Sequence, residues 1–439
     1  PSGAHGWGVT VLEDETTLRR ASMTLRSSLV QGNVEIGVLA HAADAVIEAT
    51  AVLDTRHSAS QRLGRAVVAQ TYAGSPSAEM TLTGSVIDGC HDTGVLVAAS
   101  HLDVANTVVR DVAATSETGQ HGSGITTQHD PSTNERSSLD LRHCLIDRAS
   151  DMGLFIGPAD VVIEGVLVRD TLGLPDGTLG RGIALQREAP APLAVTGFVR
   201  GSVVDGCRDV GVFLDGADVV LEGVAIRDVA PRGTDDDKGW GLYAQDHEAS
   251  SVRSRLTTTG SSVERAHGMG VGVAGSDATF EGVLVRDTAP LASELTFGRG
   301  MNFQDNDATG QRADVTVRGS VLDHNEEVGL FVAGADALIE ATVVQDTRPG
   351  VTMESTGRGA AFQVNSHTLA TTSAVVRWSL IERNHDVGLL VAAADVVIES
   401  TAILDTSSRS VDGGSGDGLA VFHFLLGATA EVLDSRIES

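Results

Sequence analysis

The stretch Gly153–Thr171, GLFIGPADVVIEGVLVRDT, recurs along the chain with little change. It reads GLFVAGADALIEATVVQDT from Gly329 and GLLVAAADVVIESTAILDT from Gly388. Its seven copies follow one another at intervals of about 59 residues and begin at Gly37, Gly94, Gly153, Gly211, Gly270, Gly329 and Gly388. A repeat of this period indicates a solenoid, in which each unit buries its apolar face only against its neighbours.

The composition agrees with short buried strands that are joined by turns. The 439 residues include 50 glycines, and 41% of the chain is hydrophobic although only 3% is aromatic. Val, Ile and Leu supply most of the hydrophobic residues, as expected for strands. Because no Pro- or Ser-rich linker interrupts the repeat, we predict one elongated domain over residues 1–439.

The charge and the cysteines exclude several classes of protein. A formal net charge of −28 argues against binding to nucleic acid or to an anionic membrane surface, which both require a basic face. No apolar run approaches the roughly 18 residues of a membrane-spanning helix. The three cysteines, Cys90, Cys144 and Cys207, are too few for a disulfide framework and show no zinc-binding spacing, so we interpret them as small buried residues.

Each repeat contains a second self-similarity, because Val317–Asp323 has a counterpart 22 residues later in Ile339–Gln345. The unit is therefore a doublet of a short and a long coil, both built from short strands. The coils resemble those of the right-handed parallel β-helix repeat family (pectate-lyase-like solenoids), which read roughly V-x-x-S/T-x-V-x-x-N…G-V-x-V. The resemblance covers nearly the whole chain.

The resemblance implies an all-β fold, a right-handed parallel β-helix of about fourteen coils arranged as seven two-coil repeats of 58–59 residues. It says little about activity, because this fold hosts lyases, hydrolases, adhesins and spikes. Both ends of the chain fall within a coil, so we expect it to be a segment of a longer protein.

Two columns of charged residues alternate in sign from coil to coil. The first includes Arg142, Glu164, Arg200 and Glu222, and the second lies five residues later at Asp147, Arg169, Asp205 and Arg227. In a parallel sheet stacked in register, this alternation turns the repulsion of like charges into cross-strand attraction. We therefore predict two ladders of ion pairs that also fix the register.

The long coil carries the phrase G-x-G/A-x-x-x-Q. No P-loop lysine or helix follows it, so we assign its glycines to the turn where the long loop rejoins the sheet. The variable residue after the first glycine forms a column that we predict to be an exposed, linear binding strip, composed of Trp7, Arg65, Arg181, Trp240, Arg299 and Arg358.

His247, between Asp246 and Glu248, is the candidate for acid–base catalysis; a surface histidine in an acidic turn is the alternative interpretation. Oxygen ligands for a hard cation such as calcium are available in two acidic turns. These candidate metal ligands are Asp235, Asp236 and Asp237 in one turn, and Asp305 and Asp307 in the other. Solvated turns are the alternative for both. In the second turn, which resembles the start of a calcium loop, Thr316 stands where such a loop has its last glutamate.

The uniformity of the repeats favours an extracellular or cell-surface structural or binding rod, adhesin-like or stalk-like, over an enzyme. No cofactor is required, and calcium is the one that the acidic turns could hold. The expected partners are a polysaccharide, another surface protein or a further copy stacked end to end. The alternative is a polysaccharide lyase or glycoside hydrolase with a groove beside the long-coil loops, which would need a non-repeating constellation of acid and base.

Overall fold

Short parallel strands make up the part of the chain that the computed structural model describes, which is residues 6–14, 16–58, 63–71, 74–115, 121–188, 193–291, 293, 297–350, 356–408, 415–423 and 426–439. The strands form three parallel sheets with fifteen strands in each, and successive strands of the chain enter sheet 1, sheet 2 and sheet 3 in turn. This arrangement confirms the all-β, right-handed parallel β-helix that the resemblance implies, with about fifteen coils.

Sheet 1 consists of Val9–Leu12, Ile36–His41, Arg65–Gln70, Thr93–Ala98, Ser123–Gln128, Met152–Ile156, Arg181–Gln186, Val210–Asp215, Trp240–Gln245, Met269–Ala274, Arg299–Gln304, Val328–Ala333, Arg358–Gln363, Val387–Ala392 and Asp417–Phe422. Sheet 2 consists of Ser22–Arg26, Asp44–Glu48, Glu79–Thr83, His101–Ala105, Ser137–Arg142, Ala159–Glu164, Thr196–Arg200, Asp218–Glu222, Arg255–Thr259, Asp277–Glu281, Asp314–Arg318, Asp336–Glu340, Thr372–Arg377, Ala394–Glu399 and Thr429–Leu433. Sheet 3 consists of Leu29–Gln31, Ala51–Leu53, Val86–Asp88, Val108–Val112, Leu145–Ala149, Leu167–Arg169, Val203–Asp205, Ala225–Arg227, Ser262–Glu264, Leu284–Arg286, Val321–Asp323, Val343–Gln345, Leu380–Glu382, Ala402–Leu404 and Arg436–Ile437.

The chain divides into two compact units. Unit 1 comprises Pro1–Phe213 with Arg232–Thr234, and unit 2 comprises Leu214–Pro231 with Asp235–Ser439. Within each unit, equivalent residues of successive coils pair in register. The single domain over residues 1–439 stays a prediction.

In unit 1 the inner side of the coil is aliphatic, with a ladder of hydroxyl groups at one corner. Thr50 donates its backbone N–H to Ser85 Oγ over 3.1 Å, and Ser85 donates its own N–H to Thr107 Oγ1 over 3.4 Å. These residues occupy the S/T position of the repeat motif. A buried N–H at this bend therefore has a hydroxyl acceptor in the next coil. This hydrogen bond satisfies the N–H where the backbone leaves the strand.

In unit 2 the interior also holds aromatic side chains. Phe280 and Phe303 are both fully buried, and their rings stack with centroids 5.9 Å apart. Offset or stacked aromatic pairs add about 0.5–1.5 kcal/mol to the stabilisation from the buried area itself. Because only 3% of the chain is aromatic, most of the remaining core consists of Val, Ile, Leu and Ala.

The first glycine of the G-x-G phrase is required by the backbone. Gly298 has φ +90°, and a Cβ placed there would lie 2.9 Å from the Cβ of Glu326 in the next coil. A side chain at this position would be strained and would also push the two coils apart. This confirms that these glycines serve the turn at which the long loop rejoins sheet 1.

The predicted ladders of alternating charge are confirmed in unit 1. Arg26 Nε lies 2.7 Å from Glu48 Oε2 in sheet 2, and Arg110 Nη2 lies 2.7 Å from Asp88 Oδ2 in sheet 3. In unit 2, Glu340 contacts Arg318 on one side and Arg377 on the other. Each exposed pair contributes about 0–1 kcal/mol to stability. A residue shared by two pairs loses its side-chain entropy only once, so the second pair costs less to form.

A third ladder, which the sequence analysis missed, lies one residue after the sheet 3 column. Arg148 Nη2 is 2.6 Å from Asp111 Oδ2, and Arg265 Nε is 2.6 Å from Asp228 Oδ1. All four residues have φ between +51° and +55°, the left-handed region that usually favours glycine or asparagine. The ion pairs offset part of that backbone strain.

The described residues include no helix that is long and apolar enough to cross a membrane.

Candidate functional site

The residues of the predicted binding strip lie at the start of the sheet 1 strands of the long coils, but the arginines among them are paired with acids. In unit 1, Arg65 Nε is 2.6 Å from Asp92 Oδ2, and Arg181 Nε is 2.7 Å from Asp209 Oδ2. The side chains of the two arginines are 24% and 12% exposed. Trp7 is 41% exposed and donates its Nε1–H to Glu35 Oε2 over 3.3 Å.

The arginines of the strip in unit 2 follow the same rule. Arg358 Nε lies 2.9 Å from Asp386 Oδ2, and Arg299 Nε lies 3.5 Å from Glu327 Oε2. Each arginine thus pairs with an acid two residues before the repeat glycine of the following coil. The sequence carries this signal as a recurring D/E-x-G, whose acid lies 27 or 28 residues after the arginine of the G-x-G column.

The arginine is missing at Trp7, described above, and at two places between the arginines of the ladder. In unit 1, Ser123 takes the position of the arginine, and Asp151 in the next coil is left 7% exposed. Asp151 Oδ1 has no hydrogen-bond partner among the described residues, and burial raises the pKa of this carboxyl group above its ordinary value. In unit 2, Trp240 takes the position of the arginine and Gly268 that of the acid, so both charges are missing.

A pocket of about 200 Å³ lies beside Trp240 on the outer face of sheet 1 in unit 2. Its lining comes from three successive coils and consists of Trp240, Tyr243, Met269, Ala274, Phe297, Arg299, Asn302 and Gln304. The middle coil contributes Gly272, whose place in the register lies between Tyr243 and Asn302. The pocket exists because the middle coil has small residues where its neighbours have large ones.

Aromatic rings form one wall of the pocket. The ring centroids of Trp240 and Tyr243 are 4.6 Å apart, with an angle of 43° between the ring planes. A Cβ on Gly272 would lie 2.5 Å from Tyr243 Cδ2, so the Tyr243 ring packs directly over this glycine. Phe297 adds a third ring to the lining.

Planar polar groups form another part of the lining. Arg299 donates an Nη1–H to Asn302 Oδ1 over 2.8 Å, and its guanidinium carbon lies 3.8 Å from the centroid of the Phe331 ring. Gln304 belongs to the glutamine column and lies on the same strand as both residues. Amide and guanidinium groups side by side can bind a ligand that offers several hydroxyl groups.

Burial shapes the electrostatics of the pocket. Desolvation raises the pKa of Tyr243 to about 12, and the charges of Asp246, Glu248, Asp307 and Asp215 add to that rise. Tyr243 is therefore a neutral hydrogen-bond donor throughout the physiological range. Desolvation also lowers the pKa of Arg299 and raises that of its partner Glu327.

His247, the candidate for acid–base catalysis, lies in the turn that follows this strand. Its backbone N–H donates to Val252 O over 2.8 Å, and its Nδ1 is 2.9 Å from Ser250 Oγ. The same turn recurs in the next long coil, where Asn306 N–H donates to Gln311 O over 2.8 Å. The geometry gives His247 a turn-stabilising part; its catalytic role stays a prediction.

The candidate metal ligands Asp305 and Asp307 both face Asn365. Asn365 donates its Nδ2–H groups to Asp305 Oδ1 over 2.6 Å and to Asp307 Oδ1 over 3.1 Å. Asp307 Oδ2 also lies 3.1 Å from His367 Nδ1. The structure brings the two carboxylates together around an amide donor, and a calcium site here stays a prediction.

The other acidic turn is more open. Asp235 and Asp236 are exposed, and Asp237 donates its backbone N–H to Asp235 Oδ1 over 3.1 Å. Elsewhere in unit 2, Asp323, His324 and Asp346 place one ligand atom each within 4.8 Å of the others, a group that the sequence analysis did not find. Asp346 in this group is also paired with Arg383, whose Nη2 lies 2.8 Å from Asp346 Oδ2.

Comparisons with known proteins support no activity for this chain. No protein-family model and no curated protein matches it. Among solved structures it is similar to the periplasmic alginate epimerase AlgG, at 11% identity and a TM-score of 0.45 over 92% of this chain and 78% of that chain. It is also similar to the A-module of the Azotobacter vinelandii mannuronan C-5 epimerase AlgE6, at 12% identity and a TM-score of 0.34 over 86% of this chain and 91% of that chain.

A third similar structure is that of the Vag8–C1 inhibitor complex, at 11% identity and a TM-score of 0.38 over 96% of this chain and 100% of that chain. At these TM-scores, the similarities say nothing about the substrate or partner of this protein.

Proposed function

We propose that this protein is a carbohydrate-binding β-helix of the cell exterior, which holds one sugar residue of a glycan in the Trp240 pocket of unit 2. The observation that carries the proposal is the pocket itself, whose lining combines aromatic rings with planar polar groups. The pocket lies beside Trp240, which takes the place of an arginine of the ladder.

The two walls match the two kinds of surface that a sugar ring presents. The C–H groups of a pyranose face are apolar and weakly positive, so they pack on the negative face of an aromatic ring such as Trp240 or Tyr243. The hydroxyl groups at the ring edge need hydrogen-bond donors and acceptors, and Asn302, Gln304 and Tyr243 carry such groups in the lining.

The size of the pocket sets the size of the bound part. A cavity of about 200 Å³ is smaller than the roughly 300–1,000 Å³ of pockets for drug-sized ligands. It suits one monosaccharide unit, and the rest of a glycan chain would extend along the outer face of sheet 1. Affinity for one unit is expected to be weak, so the protein would gain strength from long or multivalent ligands.

Glycan binding is tested first with an array of immobilised oligosaccharides and then by isothermal titration calorimetry with the soluble forms. Trp240→Ala should weaken binding at least about tenfold, as expected for a buried aromatic anchor. Trp378→Ala is the matched control, because Trp378 is 57% exposed and lies outside the pocket. Equal binding by wild type and Trp240→Ala would refute the proposed site.

A steric variant addresses the same site without removing any contact group. Gly272→Ala places a Cβ about where the Tyr243 ring now lies, 2.5 Å from its Cδ2, so the ring must move into the pocket or out of it. Binding should fall while the far-UV circular dichroism spectrum stays that of wild type. The alternative function, a polysaccharide lyase or hydrolase, is monitored in the same samples as new reducing ends or unsaturated products, with His247→Ala as its test.

A further inference from the structure

The lining of the Trp240 pocket includes a side-chain amide that the protein holds in one orientation. This amide belongs to Asn302, and its neighbours in the lining are a second amide and the small apolar residues of the middle coil. The inference that follows rests on the proposed function and concerns the substituent that the bound sugar carries.

Arg299 fixes the orientation of the Asn302 amide. Its Nη1–H is donated to Asn302 Oδ1 over 2.8 Å. Because a guanidinium group donates hydrogen bonds and accepts none, the amide atom that faces it has to be the oxygen. Arg299 is itself held in place, since its Nε lies 3.5 Å from Glu327 Oε2 and its guanidinium carbon lies 3.8 Å from the centroid of the Phe331 ring. The oxygen of Asn302 is therefore engaged within the protein.

The nitrogen of Asn302 is left with two N–H groups to donate. Neither has an acceptor among the described residues, although Asn302 lines the pocket and is only 5% exposed. A buried donor without an acceptor costs free energy, and an acceptor on a bound ligand would recover it. The pocket therefore favours a ligand that places a hydrogen-bond acceptor against Asn302 Nδ2.

Gln304 adds a second amide beside the first. It lies two residues after Asn302 on the same strand, so the two side chains point to the same face of sheet 1, and both line the pocket. A glutamine side chain carries a donor and an acceptor. Gln304 can therefore accept a hydrogen bond from a ligand N–H that is close to the acceptor on Asn302.

The middle coil places apolar surface next to both amides. Met269 and Ala274 line the pocket, and Ala274 pairs with Gln304 in the register of sheet 1. Gly272, which has no side chain, pairs with Asn302. This combination suits a planar substituent that joins a carbonyl, an N–H and a methyl group.

We propose that the pocket selects a sugar residue that carries an acetamido group, an N-acetylhexosamine. The acetamido carbonyl accepts from Asn302 Nδ2–H, its N–H donates to Gln304 Oε1, and its methyl group packs against Met269 and Ala274. A hydroxyl group at the same place offers no methyl group to these apolar residues. One further hydrogen bond and one buried methyl group together predict about tenfold tighter binding of the N-acetylated sugar.

The test is isothermal titration calorimetry on the whole protein with two matched tetrasaccharides. They differ only in one substituent of each ring, a hydroxyl group in cellotetraose and an acetamido group in the chitin tetramer. The wild type should bind the chitin tetramer about tenfold more tightly. Equal or tighter binding of cellotetraose would overturn the inference.

Asn302→Asp changes the donor into an acceptor at almost constant size and keeps an acceptor for Arg299. An acetamido carbonyl cannot donate to the new carboxylate, whereas a hydroxyl group can turn and donate to it. The preference for the chitin tetramer should therefore fall at least about fivefold. Asn134→Asp, the same change at an exposed position of unit 1 outside the pocket lining, is the matched control. An unchanged preference in Asn302→Asp would contradict the part given to Asn302.

The outcomes separate this inference from the proposed function. If the wild type binds glycans that lack an acetamido group, shows no preference for the chitin tetramer and loses binding in Trp240→Ala, the acetamido inference alone fails. If no glycan binds, or if Trp240→Ala binds as the wild type does, the proposed function fails and this inference fails with it.

Discussion

Asp92 and Asp151 occupy equivalent positions in unit 1, yet replacing each by asparagine should change stability in opposite directions. Both lie two residues before a repeat glycine, and both are buried, at 4% and 7% exposed. Asp92 is paired with Arg65 at 2.6 Å. Asp151 faces Ser123, which stands where the ladder otherwise has an arginine.

The magnitudes follow from those surroundings. Removing one partner of a fully buried ion pair costs about 3–5 kcal/mol. Because the Arg65 side chain is 24% exposed, water recovers part of that cost, and we expect Asp92→Asn to lose about 1–3 kcal/mol. Asp151→Asn removes a buried charge that has no counter-ion of its own, so it should gain about 1 kcal/mol at neutral pH.

The sign of the pH dependence supports the distinction. Burial raises the folded-state pKa of Asp151 above the ordinary value of 3.8. A raised carboxyl pKa means that the folded state favours the protonated form, so stability is lost as pH rises from about 3.8 through the raised value. The advantage of Asp151→Asn should therefore be absent at low pH and reach its full size above that window.

Urea unfolding, followed by far-UV circular dichroism at pH 4 and pH 7.5, measures both effects. Midpoints are compared rather than extrapolated free energies, because long repeat arrays often depart from two-state unfolding. Asp92→Asn should lower the midpoint at pH 7.5, and Asp151→Asn should raise it there. Equal losses from the two variants at pH 7.5 would show that the arginine ladder does not govern these carboxylates.

Two further predictions concern the turns and the thiols. Gly298→Ala should lower the free energy of unfolding by about 2–5 kcal/mol, because strain at φ +90° adds to overpacking against Glu326. Gly310→Ala, with φ +71° and open space around it, should lower it by only about 1–2 kcal/mol, so equal shifts of the urea midpoint would contradict the steric part of this reasoning. Burial raises the pKa of Cys90 to about 12 and that of Cys207 to about 11. Neither thiol should therefore react with a maleimide at pH 8 until urea unfolds the protein. Rapid labelling of the native protein would show that these coils open.

The period of the sequence predicts the fold well because each coil has the same requirements. The S/T position and the alternating charges meet local requirements that recur in successive coils, and the glycine of the G-x-G phrase meets one that recurs in each long coil. A pattern that recurs at a fixed spacing is visible without any structure. The sheet 2 and sheet 3 ladders are therefore predicted from sequence and confirmed.

The ladders that were missed depend on geometry that a linear alignment does not display. The pairing of Arg65 with Asp92 joins residues 27 apart, across the junction of a long and a short coil. The pairing of Arg148 with Asp111 places both residues at positive φ, where an arginine is not expected from backbone preference alone. In both cases the tertiary contact outweighs the local signal.

The binding strip stays a prediction, although two of its members belong to the proposed pocket. Trp240 and Arg299 were identified as members of a strip, and both line the pocket. The strip as a whole was expected to be exposed, which the engaged arginines contradict for most of its length. The pocket depends on Gly272, which has no side chain. A small residue predicts a pocket only when the larger side chains beside it in the neighbouring coils are known.

The alternation of charge also constrains how such a chain can change length during evolution. Deleting or duplicating one coil would set acid against acid and base against base at the new junction, in several columns at once. Deleting or duplicating a short coil together with its long partner leaves every junction as it was. The doublet is therefore the smallest unit that recombination can add or remove without penalty, and related proteins should differ in length by whole pairs of coils.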